Sequence, residues 1–188
     1  IIRTQNDEGG WRYHPVRADA DISVTICQVM ALRAARNAGI AVPKTTIDRS
    51  IQYIKDSQNS DGGFRYMLNS GGSAFARSAA AVAALQYAGI YRGSEIRRGI
   101  DYVHKFVPGR SDSVGHFFYG HYYAGQAMFL AGGADRRRCA ATAQTPAAYL
   151  SEVSIGICLL FQGSVFFRKV VGNEYPRGLK PAALWFGC

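Results

Sequence analysis

"QNDEGGWRY" at residues 5–13 returns almost unchanged as "QNSDGGFRY" at 58–66. Each copy leads into an apolar run, "DISVTICQVMALRAARNAGI" at 21–40 and "SAFARSAAAVAALQYAGI" at 73–90, and both runs end on Ala-Gly-Ile. The two glutamines are 53 residues apart and the two closing glycines, Gly39 and Gly89, are 50 apart. That is the period of a helical hairpin. Second segments follow, "TIDRSIQYIKDSQ" at 46–58 and "EIRRGIDYVHKF" at 95–106. They set Ile47, Ile51 and Ile54, and Ile96, Ile100 and Val103, at i, i+4, i+7 on one helical stripe. Each unit therefore reads turn, helix, glycine stop, loop, helix, and the fold class is all-α, built of helical-hairpin repeats. Gly39 and Gly89 stand where a helix ends on a left-handed residue, which glycine adopts without steric cost.

The units span about 5–57 and 58–110. A third is expected at 115–133, "GHFFYGHYYAGQAMFLAGG", which again closes on Ala-Gly but lacks the Gln–Gly-Gly–aromatic turn. Beyond it, residues 134–188 show neither the turn nor a helical stripe, and are expected to be a divergent tail or an out-of-frame stretch. The chain opens on Ile1 and has no charged-then-apolar leader, so it is expected to be a fragment or a processed product.

Composition narrows the function classes. With 188 residues, 48% of them hydrophobic, the chain suffices for one sizeable core. Its longest apolar stretch, Val153 to Phe167, is interrupted by Gly156, Gln162, Gly163 and Ser164. It falls short of the roughly 20 residues of a membrane helix, so no transmembrane span is expected. Cys27, Cys139, Cys158 and Cys188 form no CxxC pair, which points to reduced thiols and a cytoplasmic location, with peripheral membrane association as the alternative. The net charge of +9 is uneven: residues 1–135 carry 15 basic and 11 acidic groups, while 136–188 carry 7 and 2. The basic cluster Arg136–Arg138 lies apart from the aromatics, so nucleic-acid binding is not expected.

The spacing of Gln5, Gly9 and Trp11, and of Gln58, Gly62 and Phe64, resembles the QW motif of squalene-hopene cyclases. The hairpins closing on Ala-Gly are similar to those of the prenyltransferase and squalene-cyclase α/α-toroid superfamily, and the resemblance covers residues 1–133. It implies helices in two concentric rings, with the Gln–aromatic turns as structural joints: the amide satisfies backbone groups at a helix end and the aromatic packs over it. The two and a half units seen here would make an open arc, part of a toroid.

The first unit departs from the second at "ADADISVT", 18–25, which carries Asp19 and Asp21 where the second has "NSGGSAFA", 69–76 in the matching stretch. This resembles the DxDD motif of class II terpene cyclases, with Ile22 at the fourth position and Ser23 where Thr is usual. The resemblance makes Asp21 the proton donor to an alkene or epoxide and Asp19 its support. Such chemistry needs a carboxylic acid kept protonated and made strongly acidic by partners that stabilise its conjugate base. Asp21 also has a plain structural use, as the N-cap of a helix starting at Ile22.

The same superfamily holds zinc in protein prenyltransferases with an Asp, a Cys two residues on and a distant His; Asp21 and His121 match the ends of that set. Ser23 stands at the Cys position, and Cys27 falls on another helix face, so no metal and no cofactor are expected. The aromatic run Phe117, Phe118, Tyr119, Tyr122 and Tyr123, with His121, is the candidate wall of an apolar cavity, since aromatic faces stabilise cations. At helical spacing some of these rings would equally be core.

Two functions follow. One is acid-initiated isoprenoid chemistry in an apolar cavity. The other is a non-catalytic helical-repeat scaffold that binds a protein or a lipid-like ligand.

Overall fold

The computed structural model describes residues 1–106 and 115–135. They are helical: after a 3-10 turn at Ile2–Thr4 come α1 (Ile22–Asn37), α2 (Lys44–Asp56), α3 (Phe75–Tyr87), α4 (Ser94–His104) and α5 (Phe117–Ala131). Extended pairing among the described residues is confined to isolated bridges, such as Trp11 with Asp21. The chain is all-α. The expected divergent tail, including Arg136–Arg138 and three of the four cysteines, falls outside the described residues except for Ala134 and Asp135.

The glycine stops behave as their spacing predicts. At the end of α1, Ile40 N–H reaches Ala35 O and Gly39 N–H reaches Arg36 O, and at the end of α3, Ile90 reaches Leu85 O and Gly89 reaches Gln86 O. With Gly39 at φ +85° and Gly89 at φ +102°, these are two Schellman caps. The change of register from 53 to 50 has a local cause. α1 has 16 residues and α3 has 13, and both helices start in the 53-residue register. One short turn fewer in α3 accounts for the difference.

The repeated turns are matched joints. Gln5 Nε2 donates to Gly9 O at 2.8 Å and to Thr46 O at 2.9 Å, and Gln58 Nε2 donates to Gly62 O at 3.0 Å and to Glu95 O at 2.9 Å. One buried amide thus ties each turn to the first turn of its own unit's second helix, α2 or α4 (the outer helices; α1, α3 and α5 are the inner ones). Trp11 N–H bonds Thr25 Oγ1 at 3.1 Å and Phe64 N–H bonds Ser78 Oγ at 2.8 Å, which lashes each turn to its inner helix. Trp11 and Phe64 are buried, each contributing on the order of 2 kcal/mol through apolar burial.

Packing orders the helices. α3 lies between α1 and α5, with its most extensive contact to α5, while α4 packs on α3 and α5 and α2 packs on α1 and α3. α3 is buried on all sides: from Ser78 to Gln86 every residue is buried. Its run of Ala79, Ala80, Ala81, Ala83 and Ala84 keeps the helix thin enough for that, since alanine is a strong helix former with little volume. Gly120 of α5 meets Phe75 and Ala76 so closely that a Cβ would not fit, which explains the tight α3–α5 contact.

The apolar stripes come out unequally. Ile96, Ile100 and Val103 of α4 are buried as their spacing predicts, but on α2 the buried residues are Thr46, Ser50, Tyr53 and Ile54, with Ile47 and Ile51 only half-buried. The buried face of α2 is thus centred on Thr46, Ser50 and Tyr53, one helical stripe, and Gln5 bonds the Thr46 carbonyl at its start. No helix among the described residues is long and apolar enough to cross a membrane.

Candidate functional site

A cavity of about 700 Å³ opens at the N-terminal ends of the three inner helices, α1, α3 and α5. Its volume is in the range of small-molecule sites. Among the described residues, six aromatic side chains dominate its wall: Tyr13 and Tyr66 from the ends of the two turns, Phe75 from α3, Tyr102 from α4, Phe106 just beyond it, and Tyr119 from α5. Ser23, Val24 and Cys27 complete the α1 side. Cys27 is reachable from solvent, but the packed wall around it and then the nearby Asp21 push its thiol up, so it stays neutral. Burial pushes the Tyr119 phenol up as well.

Asp21 stands two residues before Ser23 of this lining. It is fully buried, its Oδ1 accepts Val24 N–H at 2.9 Å as the N-cap of α1, and its backbone N–H bonds Trp11 O. The structural use of Asp21 is thus present in the fold. Its second oxygen, Oδ2, is buried without a hydrogen-bond partner and lies 3.8 Å from Arg12 Nε. Arg12 also pairs with Asp19, whose side chain is half exposed. The two aspartates are therefore brought together through one guanidinium, which stacks 6.0 Å from the Tyr66 ring centre. Close by, the Tyr53 hydroxyl is also buried and unpartnered, and burial first, then the negative charges of Glu8 and Asp21, push its phenol up.

The aromatic group on α5 is divided. Tyr119 reaches the cavity wall, together with His116 at the start of the helix. Phe117, Phe118, His121 and Tyr122 do not line it. His121 sits against the Phe75 and Phe117 rings, at 4.9 and 4.0 Å, and its Nδ1–H donates to Phe117 O at 2.9 Å. Tyr122 packs edge-on to Tyr123 at 5.0 Å, Tyr123 is core, and Phe118 faces outward at 52% exposure. The physical reason is the α-helical turn: seven consecutive positions circle the axis, so a single wall takes only one or two of them. Among the described residues no three His, Cys, Asp or Glu side chains gather in a set that would hold a metal ion.

The residues that sequence reasoning missed are Tyr13, Tyr66, Phe75, Arg77, Tyr102 and Phe106. A signal for two of them was present, because Tyr13 and Tyr66 end the repeated "RY" of each turn. Arg77 carried a signal too: it occupies the place of Val24 in the 53-residue register, a charged departure in the first turn of α3.

No protein-family model matches the chain. A search of curated proteins finds no significant relative.

Proposed function

We propose that this protein is a helical-repeat binder of an isoprenoid or other lipid-like chain, which it holds in the cavity at the head of α1, α3 and α5. The observation that carries this reading is the wall itself: a half-open space of about 700 Å³ lined largely by Tyr13, Tyr66, Phe75, Tyr102, Phe106 and Tyr119. Aromatic rings supply large apolar contact area, and the tyrosine hydroxyls can orient a polar end. The hairpin repeat, as part of an α/α toroid, would supply a rigid frame for such a site.

A second reading, acid-initiated isoprenoid chemistry with Asp21 as proton donor and Asp19 as its support, is favoured by one observation. Asp21 Oδ2 is buried without a hydrogen-bond partner, two residues before Ser23 of the cavity lining. Asp21 is not itself part of the described cavity lining, so this reading requires a rearrangement that opens a path to it.

Titration of the whole chain with farnesol, a neutral isoprenoid alcohol, tests the binding reading. Saturable binding is expected, and Val24→Trp, which fills the α1 side of the cavity, is expected to weaken it at least about tenfold. Farnesol binding that is absent, or untouched by Val24→Trp, would reject the cavity as the site. For the acid reading, conversion of a polyprenyl substrate by the wild type and its loss in Asp21→Asn is the expected result; no conversion by the wild type counts against it.

A further inference from the structure

The described lining of the cavity combines aromatic and aliphatic side chains with hydroxyl groups. Arg77, in the first turn of α3, is the one permanently charged side chain among the described lining residues. Its Nε donates to Phe64 O at 2.9 Å and its Nη2 to Gly72 O at 2.6 Å. These two backbone carbonyls hold the guanidinium in place but do not neutralise it. No ion pair among the described residues involves Arg77, and Nη1 has no partner among them. Half-burial lowers its pKa, the mark of a charge held at some cost, yet a guanidinium stays charged.

Among the described residues, the other groups facing the cavity offer no counter-charge: the Cys27 thiol, the hydroxyls of Tyr13, Tyr66, Tyr102 and Tyr119, Ser23, Ser73 and His116. The positive ends of the inner helices add to the same field. Asp21 caps α1, whereas α3 begins at Ala74 and α5 at His116 without a side-chain cap. A desolvated cation beside aromatic rings is stabilised most by an anion that bonds it directly. Arg77 is also absent from the first unit, where Val24 stands, so the repeated scaffold does not require it.

We propose that the cavity takes a single-chain amphiphile with an anionic head, a carboxylate or a phosphate, bound by Arg77 while its tail lies among the aromatic rings. This rests on the binding reading above and names the chemistry of the ligand.

Calorimetric titration of the whole chain with dodecanoate, dodecyl phosphate and dodecanol, each kept below micelle formation, tests it. At least one of the two anions is expected to bind about tenfold tighter than the alcohol, the scale of a charge-assisted hydrogen bond. Arg77→Gln is expected to erase that advantage, read as the ratio of anion to alcohol affinity within the variant, while Arg77→Lys keeps most of it. Preference for dodecyl phosphate, with inorganic phosphate competing, assigns a phosphate head; preference for dodecanoate assigns a carboxylate. Equal binding of all three ligands by the wild type overturns the proposal and leaves the apolar cavity reading intact. Failure of dodecanol and both anions to bind overturns both. The wild-type comparison decides even if Arg77→Gln does not fold.

Discussion

The first and second hairpins share one joint and differ in what they do with charge. In both, a buried glutamine amide bridges the turn to an outer helix, and a buried aromatic N–H bonds a hydroxyl of the inner helix. The first unit then adds a carboxylate pair around Arg12, with Asp21 capping α1. The second has Ala74 at the cap and Arg77 three residues on, and the side chain of Arg65, its counterpart of Arg12, bonds the carbonyls of Leu68 and Asp56 and no carboxylate among the described residues. Their environments differ as well: α3 is enclosed on all sides, whereas α1 buries one face. Residues that repeat build the frame, and residues that break the repeat set the electrostatics of the site.

The largest effect should come from the joints. Gly9 at φ +95° and Gly62 at φ +89° would each drive a Cβ into the backbone of an outer helix, at Arg49 and Arg98. Gly9→Val and Gly62→Val are each expected to cost about 3 kcal/mol or more in urea unfolding, the second more because its joint supports the enclosed α3. Equal losses would break the distinction between a peripheral and a central unit.

Next come the hydroxyls. Thr25→Val strands the Trp11 N–H and Ser78→Ala strands the Phe64 N–H, and each should cost about 2 kcal/mol. Faster amide hydrogen exchange at Trp11 in one variant and at Phe64 in the other is the expected signature; exchange unchanged in either would show that the matched bonds are not equivalent.

Exchanging the caps sharpens the contrast further. Asp21→Ala is expected to lose about 1 kcal/mol, and Asp21→Asn only a few tenths, since Asn caps equally well. A loss above about 1 kcal/mol for Asn would assign the excess to the Arg12 pair. Ala74→Asp should gain up to about 1 kcal/mol by capping α3 beside Arg77.

The smallest effect is titration of Glu95, which replaces Thr46 in the second joint. Its own backbone N–H, and then Lys55, hold its carboxyl below the ordinary glutamate range. The folded protein therefore binds this proton less tightly than the unfolded chain. The stabilisation is complete above the ordinary glutamate pKa and is lost as pH falls through the lower folded value. Because Glu95 is partly exposed, at most a few tenths of a kcal/mol are expected. The stability difference between wild type and Glu95→Gln should shrink as thermal unfolding is moved to acid pH.

Much of the frame was legible in the residues. Two copies of one turn, two Ala-Gly-Ile stops and a hairpin-length period report local geometry, and local geometry is what backbone propensity and glycine conformations encode. The cap at Asp21 was legible for the same reason, as an acid directly before an apolar helix. The cavity was less so. Tyr119 was within the expected aromatic run, but its neighbours point to core, to solvent or to one another, because spacing along one helix does not say which neighbour each side meets.

By itself, the sequence determined that residues 1–133 are built as all-α hairpins, where α1 and α3 stop, and that the glutamine, glycine and aromatic of each repeated turn form a structural joint. Only the tertiary structure decided that Tyr13, Tyr66, Phe75, Tyr102, Phe106 and Tyr119 meet around one cavity, that α3 is enclosed, and that Arg77 faces that space. Helix ends are governed by interactions within a few residues, whereas a cavity wall joins side chains from five separate segments, whose meeting depends on how the helices pack.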